Sequence, residues 1–153
     1  MGWLSFLDFL VEPTFINRRN APRNLRISAK FMGWIVIVLF VLLLIVLSAD
    51  LPSLLRIGST GHPGILVLAL IGWVLLELAH LLGLFGAWQM TRDDHSGRRL
   101  VIQVLALRVV FSLMYNIGRV NLASFVIQVV ATLVLYYFVL ISRFPDEAPQ
   151  AAH

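Results

Sequence analysis

The sequence has no cysteine, which excludes disulfides, thiolate metal sites and a cysteine nucleophile. Charge is scarce: 13% of the 153 residues are Asp, Glu, Lys or Arg, where a soluble domain carries about a quarter. Lysine is nearly missing, since eleven of the twelve basic residues are Arg and only Lys30 is Lys. Soluble-type catalytic signatures are missing as well. There is no G-x-S-x-G, P-loop, H-E-x-x-H or dinucleotide fingerprint, so the chain is expected not to be an enzyme.

What is present is apolar. The hydrophobic class makes up 59% of the residues, and the mean hydropathy is +0.89. Lipid is therefore the solvent for most of the chain, with room for about four crossings of ~20 residues and none for a separate soluble domain. The expected fold is all-α: an integral membrane four-helix bundle preceded by an amphipathic interfacial helix. The spans read 31–48, 64–90, 99–118 and 121–142, between an N-terminal segment 1–30 and a tail 143–153. The first span is uncharged and offers lipid-facing surface. Breakers between residues 50 and 63 mark a loop, within which 51–57 can form a short surface turn of helix. Residues 91–99 read as a tight polar turn. The tail, with Pro145 and Pro149, is expected to be unstructured unless a partner holds it.

Residues 2–11, GWLSFLDFLV, place Ser5 and Asp8 at helical spacing, with Glu12 next in the series, beside an apolar stripe that Pro13 stops. The stretch is too short to span, and its acids and lack of preceding basic residues separate it from a signal peptide. It reads as a helix in the headgroup plane anchored by Trp3, or, because its polar face is acidic, as a helix covered by a partner. Arg18, Arg19, Arg23, Arg26 and Lys30 follow without an intervening acid. Next to a membrane span such a run attracts anionic lipid headgroups, and without aromatic interleaving no nucleic-acid partner is expected. Basic residues fall high, low, high, low, low through the flanks, which orients both termini and the middle loop to the cytoplasm.

The second span organises the rest. Glu77 and His80 stand three apart near its middle, and Ala79, Gly83 and Ala87 form a small-residue ridge for close helix approach. The third span carries Arg108 near half depth, on one face with Ser112, Tyr115 and Arg119. The fourth carries Ser124, Gln128, Thr132 and Tyr136 at four-residue spacing. Glu-x-x-His builds di-metal sites only with a second such motif, and the other three spans contain no Asp, Glu or His. A di-metal site and a bis-histidine haem are thus excluded within one chain, and no metal site is expected. His80 stays open as a hydrogen-bonded residue of the bundle, or as an axial ligand to a chlorophyll-type pigment or a partner's group. No cofactor is required, although bound lipid is expected. Arg108 and Glu77 lie within roughly 5 Å in depth, so an intramembrane Glu77–Arg108 ion pair is expected, either as a clamp or as part of a proton or ion relay.

The run GAWQMTRDDHSGRRLVIQVLALRVV followed by VVATLVLYYFVLISRFPDE resembles the second half of small uncharacterised bacterial inner-membrane proteins. They share a Gly-x-Trp helix end, a basic turn, and a last helix closing on a Leu-Tyr-Tyr-like run, a basic residue and Pro. The resemblance implies four helices and a bacterial cytoplasmic membrane, and brings no activity. The expected role is a small accessory or structural subunit of a larger membrane complex, such as an energy-transducing one, with other membrane-protein subunits or further copies of itself as partners. The alternatives are a small oligomeric transporter or channel working through Glu77, His80 and Arg108, and a pigment-binding subunit using His80.

Overall fold

The computed structural model describes residues 27–57, 63–119 and 121–147. The amphipathic stretch and Arg18, Arg19, Arg23 and Arg26 lie outside them. The described chain is all-α, and four helices are long and apolar enough to cross a membrane. They fit an integral, multi-pass membrane protein.

Helix α1 (Ala29–Ala49) starts on Ser28, whose hydroxyl accepts the Phe31 N–H at 3.1 Å. It continues after a bend at Asp50 into α2 (Leu51–Ile57). The bend has a local cause: Pro52 has no N–H to give to the Ser48 carbonyl. Asp50 takes over, donating its N–H to Leu47 and accepting those of Ser53 and Leu54. The expected surface turn at 51–57 is thus helical, and it extends the first span upward, with Leu54 fully buried.

Helix α3 (Pro63–Thr91) is the spine, packing most extensively on α4 (His95–Gly118) and then on α1. The expected nine-residue turn at 91–99 is shorter than the sequence suggested. Asp93 takes a left-handed backbone conformation, which a short polar side chain tolerates. Asp94 caps α4 by accepting the Ser96 N–H at 2.8 Å. The Ser96 side chain and backbone N–H hold the Asp94 carboxyl below the usual carboxylate range. Helix α5 (Leu122–Ile141) is capped by Asn121, follows an equally short turn, and leans chiefly on α4.

Two lines of small residues bring the helices together. The ridge of Ala79, Gly83 and Ala87 serves α1: a Cβ on Gly83 would fall 1.8 Å from Phe40 Cε2, inside a ring that is itself fully buried. The closer approach is between α3 and α4. A Cβ on Gly97 would stand 2.4 Å from the Gly86 carbonyl oxygen and 2.6 Å from the Met90 nitrogen. Gly72 meets the Tyr115 backbone in the same way. Gly72 and Gly86 share a face at about four helical turns, a separation that a scan for small residues four apart does not find.

The tail from Arg143 to Pro145 is docked rather than free. Arg143 accepts the Ala29 N–H at 2.8 Å and donates its own to Ile27 at 3.0 Å. Phe144 is buried against the His95 ring and the Arg98 guanidinium. Arg98 also donates to the Ser142 carbonyl at 3.0 Å, and His95 Nε2 lies 2.9 Å from the Asp146 carboxylate. Burial of one aromatic ring and two backbone bonds hold this strap, so α1 and α5 meet at the base of the bundle. Toward the other end α5 leans chiefly on α4.

Candidate functional site

The polar residues of the spans gather at three places. The first lies at half depth, where three helices converge on Arg108. This side chain is only 6% exposed. Its Nε donates to His80 Nε2 at 3.2 Å, and its Nη1 donates to the Thr132 hydroxyl. Thr132 in turn donates to the Gln128 carbonyl of its own helix at 2.7 Å. Because His80 accepts at Nε2, its neutral ring carries the proton on Nδ1, and that nitrogen is buried without a partner. The Phe40 ring meets His80 edge-on with centroids 5.5 Å apart, in the space that Gly83 leaves.

The second place is Glu77, the middle residue of α3. Its carboxylate accepts from the Ser48 hydroxyl at 2.9 Å. Glu77 is partly exposed and Ser48 exposed. The expected Glu77–Arg108 ion pair is therefore not formed: the two groups share a depth but have different partners. The reason is rotational. Glu77 precedes His80 by three residues, about 60° round the helix. Packing of α3 through Gly72, Gly83 and Gly86 turns His80 inward to Arg108 and leaves Glu77 on the flank beside α1.

The third place is the bend at Asp50. Its carboxylate accepts from the Ser53 and Tyr115 hydroxyls and from Arg119 Nη1. Arg119 also donates to the Tyr115 hydroxyl at 2.9 Å. Trp73 Nε1, close by, donates to the Leu47 carbonyl at 2.9 Å. Sequence reasoning had put Asp50 in a loop and so missed this knot. Pro52 two residues on was the available signal, because a bent helix rather than a loop brings Asp50 against α4.

Apart from Arg108, Tyr115 and Arg119, the polar side chains of α4 and α5 bond mostly within their own helices. Ser112 donates to Val109, Asn116 to Ser112 and Gln128 to Ser124, each within its own helix. Tyr136, at the end of the α5 stripe, is half-buried. Lys30 is exposed at the base, and Trp88 carries the Arg92 guanidinium over its ring at 3.8 Å. Among the described residues no three His, Asp or Glu side chains stand close enough to hold a metal ion. Chemically, the arrangement clamps helices. Arg108 joins α3, α4 and α5, and Asp50 joins the α1–α2 bend to the end of α4.

No protein-family model, curated protein or solved structure matches the chain.

Proposed function

We propose that this chain is a non-enzymatic structural or accessory subunit of a larger membrane complex. The observation that carries the reading is the one-sided cover of α5. Leu122, Val126, Ile127, Val130, Leu133 and Val134 are all more than half exposed. Beside them a 250 Å³ groove runs between α4 and α5, lined by Leu113, Ile117, Leu122 and Phe125 with Asn116 and Asn121. A concave apolar seam with two amide side chains suits a neighbouring helix or a tightly held lipid chain. The intramembrane polar groups, meanwhile, are mostly spent on holding the bundle. Purification from the native membrane in mild detergent is expected to yield the chain together with other subunits. A lone monomer that never co-migrates with another protein would overturn the reading.

The membrane is read as the bacterial cytoplasmic membrane, with both termini on the cytoplasmic side. The support is the grouping of Lys30, Arg92, Arg98, Arg99 and Arg143 at one end of the helices, against Arg56 and Arg119 at the other, where Arg119 is neutralised by Asp50. A reporter fused after His153 is expected to read cytoplasmic, and one inserted at Ser59 external. The reverse result, or two external signals, would sink the orientation.

A transporter or channel is the second reading. It is favoured by Arg108, whose charge sits at half depth with two neutral acceptors and, among the described residues, no carboxylate in bridging range. Such a site suits an anion better than a proton relay through Glu77, and anion flux into proteoliposomes that disappears in Arg108→Leu would favour it over the subunit reading. A pigment role for His80 has less support, because Arg108 occupies its Nε2 and its ring is 2% exposed.

A further inference from the structure

We propose that Glu77 and Ser48 are the polar contact of a docking face for a transmembrane helix of a different subunit, one presenting an Arg or Lys side chain at half depth. The inference rests on the subunit reading above and names the chemistry of the partner.

The argument starts from Glu77. An ionisable side chain inside the hydrocarbon zone ordinarily faces the bundle interior or pairs with an opposite charge. Glu77 does neither. Among the described residues its one hydrogen-bond partner is the neutral hydroxyl of Ser48, although an ionised carboxylate offers about four acceptor positions. The mid-depth cation of this chain is turned away, held by His80 and Thr132. Around Glu77 the surface is apolar: Ile45, Val74, Leu78 and Leu81 are 60%, 47%, 52% and 52% exposed. An apolar face that carries one acid with only a neutral partner complements a helix that is apolar except for one cation. Burying the acid between two helices would replace lipid around it with a charge-assisted bond.

Among its described residues, a second copy of this chain does not offer that cation. Its α1–α3 face repeats the same acid, and its Arg108 is buried inside its own bundle. The remaining described basic residues lie near the helix ends. A heterologous partner is therefore the occupant that charge complementarity selects.

The absence of cysteine makes the test direct. A hydrophobic carbodiimide modifies carboxyl groups reachable from lipid, and mass spectrometry reads the labelled residue. Glu77 of the isolated protein in detergent is expected to label, and labelling in the native membrane is expected to fall by about tenfold or more, the protection that corresponds to ~1.4 kcal/mol of occlusion. Equal labelling in both states would overturn the proposal. Glu77→Gln is expected to keep its thermal midpoint in detergent but to lose a subunit that co-purifies with the unaltered chain. Retention of that subunit would count against Glu77, while leaving the subunit reading intact. A Val74→Cys variant that forms a disulfide between two copies in the native membrane would overturn the choice of a different subunit. If the unaltered chain purifies alone, the subunit reading fails first, and the docking face with it.

Discussion

Replacing His80 by leucine and Thr132 by valine in the same chain is expected to destabilise the bundle more than replacing Arg108 itself. A guanidinium cannot shed its proton, and these two side chains are its acceptors. Without them a bare cation stays buried among helices, a situation that costs about 3–5 kcal/mol in soluble proteins. Arg108→Leu removes the charge together with its needs. Thr132 keeps its bond to Gln128, and His80 becomes a neutral polar ring without a partner, at about 1–3 kcal/mol. The triple variant should regain most of the loss. Glu77 should not enter this cycle. Losses from Glu77→Ala and Arg108→Leu are expected to add within about 0.5 kcal/mol, as they do for groups that share no partner. Unfolding in mixed micelles measures all these variants. A substantial Glu77–Arg108 coupling, or a single Arg108→Leu that is worse than the double variant, would contradict the arrangement around Arg108.

Gly97→Val is expected to have the second large effect. The groups that crowd a Cβ at this position are the Gly86 carbonyl and the Met90 nitrogen. These are backbone atoms of a facing helix and cannot swing aside as a side chain can. Overpacking a well-filled core costs about 1–3 kcal/mol or more. Here it must separate α3 from α4 at the base, next to the turn that joins them. The strap should loosen at the same time, because Arg98, the next residue, holds Ser142 and faces Phe144. Gly64→Ala is the control, since nothing lies within 4 Å of a Cβ there, and its thermal midpoint is expected to stay unchanged or rise. Equal midpoints for Gly97→Val and Gly64→Ala would show that α3 and α4 do not approach this closely.

The choice of partner for Arg108 illustrates what a sequence pattern can and cannot carry. Its depth was legible, because rise per residue is the same in every α-helix, and that depth pointed to Glu77, while His80 stands only three residues further along the same helix. The choice between them depends on 60° of rotation of α3, which no local rule sets. That rotation follows from where Gly72 and Gly86 allow α4 to approach. The same limit explains Asp50: its place in the chain looked like a loop, and its role emerged only when the bend at Pro52 brought it to Tyr115 and Arg119.

The sequence by itself determined that this is an all-α chain suited to a membrane, with four helices of spanning length among the described residues. The physical reason is local. In lipid every backbone N–H and C=O needs a partner within its own segment, so long apolar runs become helices. Short polar residues then start them, as Ser28, Asp94 and Asn121 do at their N-caps. Only the tertiary structure decided which polar side chains meet. Helix rotation and the closeness of neighbouring helices arise from packing between residues far apart in the chain, such as Phe40 on Gly83 and Gly97 on Gly86. That packing turned Arg108 to His80 and Thr132, drew the tail onto the base, and left Glu77 on the outer flank with Ser48.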